Sequence, residues 1–422
     1  MIKKLSGLFL FLLTVQGFAQ KNNSSPYTFF GIGDESTQKT VEEISMGQIG
    51  VAFNSPFQFT MSNPASYASL QYTVYTLAGV NRGIKIDDGS VTGKSSSAGL
   101  SYLAIAMPLG VKGGLSFGIQ PNTTVGYSIL QSLYDTEGNL TSLNTFEGDG
   151  GTNKVYLGFG YTLAKNLNFG IQGNYIFGSI ESSILNRRDG VQLSTKYETS
   201  SKVKGLEWKA GFQYDAPIND KLTLKTGATV DFGKDLNNEG QEYLYTIVNV
   251  PDAVLPKDTI VNSEYNGVIT KPMVSTVSVG LGQNNKWYLG LEYSFKDALK
   301  FSDGFLNQNN NISYGKGNRV SFGGYYTPKI GSVTSYWDRA TYRAGLNLQQ
   351  TGLLVDNQKV NDFGISFGVG LPIGQQGQSN VNIGFEFGQR GKVQENLIKE
   401  NYFNFRLSLT LTDLWFIKHG LD

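Results

Sequence analysis

From Phe403 to Thr412 the chain places an apolar side chain at every odd position and a polar one at every even position. A period of two predicts a β-strand rather than an amphipathic helix. One face of such a strand meets hydrocarbon and the other meets water. The pattern recurs at Val155–Leu163, Leu167–Phe177, Trp287–Phe295, Phe363–Ile373 and Val381–Phe387. A membrane-spanning strand needs about 9–11 residues, and most of these segments reach that length. The connections alternate as well. Short ones fall near 108–112, 164–166, 216–221, 283–286 and 372–379, with a longer one near 327–338. Longer polar ones fall near 84–98, 131–152, 183–202, 234–270, 297–317, 350–361 and 389–400. Short turns on one side and long loops on the other mark an outer-membrane barrel. The expected fold is all-β: a transmembrane antiparallel β-barrel of about fourteen strands, both of its ends on the periplasmic side.

Alternation fails in the first seventy residues. Met1-Ile-Lys3-Lys4 followed by Leu5–Val15 reads as a basic and then an apolar segment of a signal peptide. Gly17 and Ala19 supply the small residues of a cleavage site, giving expected boundaries of 1–19 for the signal and 20 for the mature start. Residues 20–70 are interrupted and polar, yet carry Tyr27, Phe29, Phe30, Ile44, Met46, Phe53, Phe57 and Phe59. They are expected to form a packed hatch, or plug, inside the lumen; a flexible periplasmic tail is the plainer alternative. The barrel then spans 71–412, and 413–422 form a periplasmic tail.

Composition narrows the function. The chain has no Cys and one His. Export without disulfides suits a closed barrel, whose ladder satisfies its own backbone. Loss of Lys3 and Lys4 leaves 33 basic against 34 acidic residues, which gives no electrostatic case for nucleic acid. His419 lies in the tail, away from any hydrolase partner, so no enzymatic chemistry is expected. No His or Cys cluster offers a transition-metal site, and no cofactor is expected. Asp88-Gly-Ser-Val-Thr-Gly-Lys94-Ser95 has three residues, not four, between its glycines and lacks the setting of a phosphate loop; it reads as a turn. Asp87, Asp88 and the run Asn307–Asn311 carry oxygens that calcium accepts, though a solvated loop is the better reading of them.

The polar faces of the strands carry Glu292, Arg343, Glu386 and Arg406. A charge facing lipid at mid-depth costs about 2–4 kcal/mol, so these four are expected in the lumen. Glu386 and Arg406 fall on the last two strands, where they are expected to pair. Alternatively the four fix the plug or set polarity along a pathway.

Met61-Ser-Asn63-Pro64-Ala65-Ser-Tyr67, preceded by Gly47-Gln-Ile-Gly50, resembles the N-terminal hatch of FadL-type long-chain fatty acid transporters. Ser25–Asp34, Thr341–Gly345, Asp362–Pro372 and Asp413–Lys418 resemble a FadL-like branch common in Bacteroidota. The resemblance implies an outer-membrane barrel of fourteen strands in a Gram-negative bacterium. It implies capture of a hydrophobic small molecule from outside and its sideways release to outer-membrane lipid through an interruption in the third strand. Here that strand holds Pro121 and Asn122, the candidate lateral opening. A local bulge sealed by a neighbour is the other reading of Pro121. Some FadL-like barrels are instead subunits of outer-membrane machines for barrel assembly or protein secretion, which is the second functional expectation.

Overall fold

The computed structural model describes residues 25–29, 31–250, 253–302, 312–374, 379–393 and 397–414. The expected signal peptide at 1–19, Phe30, Asn307–Asn311, His419 and the residues beyond Leu414 lie outside them. Fourteen spanning strands close into one antiparallel barrel. In chain order they are β1 (Thr73–Asp87), β2 (Thr92–Leu109), β3 (Gly113–Tyr134), β4 (Leu140–Ala164), β5 (Leu167–Arg188) and β6 (Leu193–Pro217). Next come β7 (Thr223–Phe232 continued by Asp235–Val250), β8 (Ala253–Thr270 continued by Val274–Gln283), β9 (Trp287–Lys296 continued by Lys300–Ser302) and β10 (Ile312–Tyr314 continued by Gly317–Tyr326). The last four are β11 (Thr341–Val355), β12 (Gln358–Ile373), β13 (Ser379–Arg390) and β14 (Lys399–Asp413). β14 closes on β1 from Lys399 opposite Asp87 to Asp413 opposite Thr73.

The alternation read from sequence is the inside–outside alternation of the wall. Phe403 and Leu407 point outward, while Asn404, Arg406 and Ser408 are buried in the lumen. Val155 and Leu163 on β4, like Leu206 and Tyr214 on β6, bracket the outward apolar band across eight residue steps. At about 3.4 Å per residue that is about 27 Å along a strand, or about 20 Å of height at a strand tilt of about 40°, near the band height of outer-membrane barrels.

The sequence reading errs on the loops. Segments 131–152, 183–202 and 234–270 are mostly strand, so β3 to β6 run 22, 25, 22 and 25 residues. Their outer halves pair with one another and with the outer parts of β7 and β8. The result is a six-stranded sheet standing above the outer membrane surface. These halves are polar on the outward face because water, not lipid, meets it there, and a search for lipid-facing alternation reads them as loop.

Candidate functional site

The described residues between 25 and 70 run through the lumen, from the end that carries the long hairpins (taken as the outer mouth) to the end that carries the short turns (taken as the periplasmic end). Near the middle Thr40 caps a short helix, α1 (Val41–Ser45), in a reciprocal capping box with Glu43. The Glu43 carboxylate also accepts from Met61 N at 3.1 Å and Ser62 N at 3.2 Å, folding the hatch back on itself. Glu42 turns to the wall, where Asn382 of β13 donates to it at 2.8 Å and Thr410 of β14 at 3.3 Å. Burial pushes the Glu42 carboxyl above the usual carboxylate range, with Arg343 opposing the shift.

The lumen charges are the wall's grip on this hatch. Glu292 of β9 accepts from Lys39 Nζ at 2.8 Å and from the backbone N–H groups of Gly50 and Val51 at 2.9 and 3.0 Å. Arg319 of β10 approaches the same carboxylate at 3.5 Å and donates to Gln48 at 3.2 Å. Gln48 in turn donates to Glu386 at 3.3 Å. Glu386 accepts from Arg406 at 2.7 Å and Asn404 at 2.9 Å. Arg343 donates to Asn382 at 3.2 Å, beside Glu42. A buried charge costs several kcal/mol unless it is paired and its lone pairs are filled, and here the filling comes from both hatch and wall.

Asn63, Pro64 and Ala65 start a 3-10 turn, Pro64–Ser69, at the periplasmic end. The Asn63 side chain accepts from Ala65 N and donates to Val51 O at 2.8 Å and to Phe212 O of β6 at 3.1 Å. Proline at the first turn position loses no needed hydrogen bond. The wall is shaved to receive the motif: a Cβ on Gly211 would stand 1.9 Å from Asn63 Oδ1. The sequence showed the motif but not its receptor, because a glycine in a barrel strand carries no sign of what it faces. Around it Val41, Phe59, Met61, Tyr67 and Leu70 pack on Val74, Tyr102 and Tyr156 of the wall.

At the outer mouth Phe29 and Ile32 pack on Val125, Tyr127, Phe146, Ile176 and Ile180. Tyr27 packs on Val360 and Leu397 and donates to Ile398 O. Both ends of the lumen therefore hold hatch residues. Between them lies a cavity of about 370 Å³. Its lining is strongly charged, including Lys39, Arg82, Lys271, Glu292, Arg319 and Arg390.

Among the described residues the wall parts between β2 and β3. β2 and β3 pair only from Leu109 opposite Gly113 up to Leu103 opposite Ile119. β2 continues along β1 to Thr92, and β3 continues along β4 to Tyr134. Pro121 sits just past the split, at a register shift against β4. The hatch occupies the vacated edge: Asp34 and Glu35 pair with Thr124 and Thr123, and Ser36 N donates to Asn122 O at 3.0 Å. Asn122 also accepts from Gln38 at 3.0 Å and donates to Thr152 at 2.9 Å. A small cavity of about 30 Å³ lies at the split, lined by Pro121, Leu100, Ser97, Thr37 and Arg82.

The Asp88 segment is a hairpin turn, its carboxylate held below the usual range by the N–H groups of Val91 and Ser90. Among the described residues no group of three or more His, Cys, Asp or Glu is placed to hold a metal.

A protein-family model described as BamG matches residues 1–422. No curated protein matches the sequence. Among solved structures, a Pseudomonas aeruginosa FadL homologue aligns with a TM-score of 0.58 at 13% identity, over 90% of this chain and 99% of that one. The Ralstonia pickettii toluene transporter TbuX aligns at 0.57 and 13%, over 90% and 98%. The Pseudomonas putida toluene transporter TodX aligns at 0.56 and 16%, over 92% and 99%. At these identities the likeness is one of fold: the closed fourteen-strand antiparallel barrel is built like those of the FadL-type outer-membrane transporters.

Proposed function

The chain belongs to the BamG family, and from that premise we propose that it is a non-enzymatic barrel subunit of a larger outer-membrane protein complex, of the barrel-assembly or protein-secretion kind. The family description favours the barrel-assembly form. The observation that carries the reading is the state of the lumen. Hatch residues stand at both ends, buried carboxylates bolt the hatch to the wall, and the space left over is lined by charges. Pockets for apolar ligands are lined mainly by apolar and aromatic side chains, and this cavity is not. In this reading a signal peptide ending near Ala19 exports the chain, and the hatch is a permanent strut.

Gentle detergent purification at native expression tests it. A stoichiometric large assembly is the expected result. A single barrel carrying bound fatty acid would overturn it.

One observation favours a second reading, passage of a hydrophobic small molecule with lateral release to lipid. The β2–β3 ladder stops at Leu103 and Ile119, and Pro121 stands at the split. The fold is shared with TbuX and TodX, which are toluene transporters. Release by this route requires Asp34, Glu35 and Gln38 to leave the β3 edge. A disulfide between Gln38→Cys and Asn122→Cys would then abolish uptake of a labelled fatty acid. Under the subunit reading the same lock leaves complex formation unchanged.

A further inference from the structure

The six-stranded sheet above the membrane has two lateral edges, and the chain treats them differently. Along the β8 edge stand Pro256, Lys257, Asp258 and Glu264, with register shifts between Pro256 and Val261. Charge, proline and bulges are the devices by which proteins keep an edge strand from pairing with another chain. Between Val125 and Leu133 the β3 edge has none of them. Residues 125–134 read Val-Gly-Tyr-Ser-Ile-Leu-Gln-Ser-Leu-Tyr, without a charge or a proline. The ladder with β4 runs from Val125 to Leu133 without a register shift.

The hatch covers only the start of this edge. Gly126 N donates to Thr28 Oγ1 at 3.2 Å, so Gly126 turns its backbone away from β4. In an antiparallel ladder alternate residues present their N–H and C=O to the same side. Ser128, Leu130 and Ser132 therefore turn theirs to that side too, and among the described residues no strand pairs with them there. Leu130 stands eleven residues past Ile119, about 35 Å along the strand at about 3.3 Å per residue, so lipid does not cover it. Its side chain is 64% exposed, as is that of Tyr134. On the outward face beside the edge Glu147, Asp149 and Glu181 carry no ion pair among the described residues.

We propose that the outer edge of β3, centred on Ser128–Ser132, is a docking strand for a partner protein at the cell surface. The partner adds an extended, proline-free segment whose outward face is basic, toward Glu147, Asp149 and Glu181, and whose opposite face is apolar, beside Ile129 and Leu133. Charge complementarity selects such a segment over an acidic one. A second copy of this chain offers the same uncharged edge, residues 125–134, and so leaves Glu147, Asp149 and Glu181 without a basic partner.

The inference rests on the subunit reading for its partner being a protein. The test uses the full chain in lipid nanodiscs and a short fluorescent peptide alternating Val and Lys. Leu130→Pro removes an N–H that β4 does not use, and Ser132→Pro is the matched second variant should the first fail to assemble. The peptide is expected to bind the unmodified chain, and roughly tenfold weaker binding is expected in the proline variant, or with Glu147, Asp149 and Glu181 changed to Lys. A peptide alternating Val and Glu is expected to bind roughly tenfold more weakly than the Val–Lys peptide. Equal binding by unmodified and proline forms overturns the proposal, as does dimerisation of the unmodified chain that Leu130→Pro disperses. A native assembly that survives Leu130→Pro overturns the docking edge alone; the absence of any assembly overturns the subunit reading.

Discussion

Glu292 shows what an inward charge does in this barrel. Its two oxygens collect an ammonium, a guanidinium and two backbone N–H groups, from three hatch residues and one wall strand. Glu292→Gln leaves Lys39 buried without its counter-ion, and truncating one partner of such a pair costs about 3–5 kcal/mol. Urea unfolding of the barrel in detergent is expected to show that loss, with part of it restored by Lys39→Met in the same chain. Asn63→Ala removes a helix cap and two bridges to carbonyls, worth about 1–3 kcal/mol. Cleavage of the hatch by added protease is expected to quicken accordingly.

Glu42 adds a pH dependence whose sign is fixed by its raised folded pKa. A carboxyl that holds its proton more tightly when folded adds stability below the ordinary carboxylate pKa. That contribution disappears as pH rises through the folded value. Glu42→Gln, which mimics the protonated form, is expected to be more stable than the unmodified chain at alkaline pH and to flatten the pH profile of unfolding. Parity along the strands was enough to place Glu292, Arg343, Glu386 and Arg406 in the lumen. It was blind to Gln48, Asn382 and Gly211, whose roles exist only where a distant segment folds against them.

At the scale of elements, strand existence was legible and strand length was not. Alternation of lipid-facing and water-facing residues marks a strand only while lipid is there. Beyond the membrane both faces meet water or protein, and the inner face of the outer sheet repacks around Ile176, Ile180 and Leu236. The short turns left at the outer tips, such as Asp135–Asn139, are ordered by the Asp135 carboxylate, which accepts from Glu137 N and Asn139 N. An epitope inserted at Glu137 is expected to be reached by antibody on intact cells. One inserted at Asn285, in the opposite turn, is expected to be reached only after permeabilisation. The reverse result would invert the barrel in the membrane.

At the scale of the molecule, fourteen strands and a hatch make one body, because the hatch touches nearly every wall. Deleting residues 20–38 removes the outer stopper together with Lys39's approach to the mouth, and is expected to raise ion conductance in planar bilayers well above that of the full chain. An unchanged conductance would place the barrier elsewhere in the hatch. The fold class was readable because its period of two is imposed by two solvents at once. Residues 20–70 offered a break in that period, a set of aromatic residues and the Asn63-Pro64-Ala65 motif, none of which carries the path of the segment through the lumen.

The grip of α1 on the seam carries a consequence for assembly. Glu42 reaches Asn382 and Thr410, and Val41 N donates to the hydroxyl of Tyr102. These partners lie on β13, β14 and β2, the strands around the seam where β14 meets β1, more than three hundred residues apart in sequence. Closing so long a loop is the slowest contact the chain must make. The segment nearest the N-terminus among the described residues is thus one that holds both sides of the joint between the first and last strands. The wall is wound around residues 31–70, so the joint between its first and last strands is held from inside the lumen as well as by its own ladder.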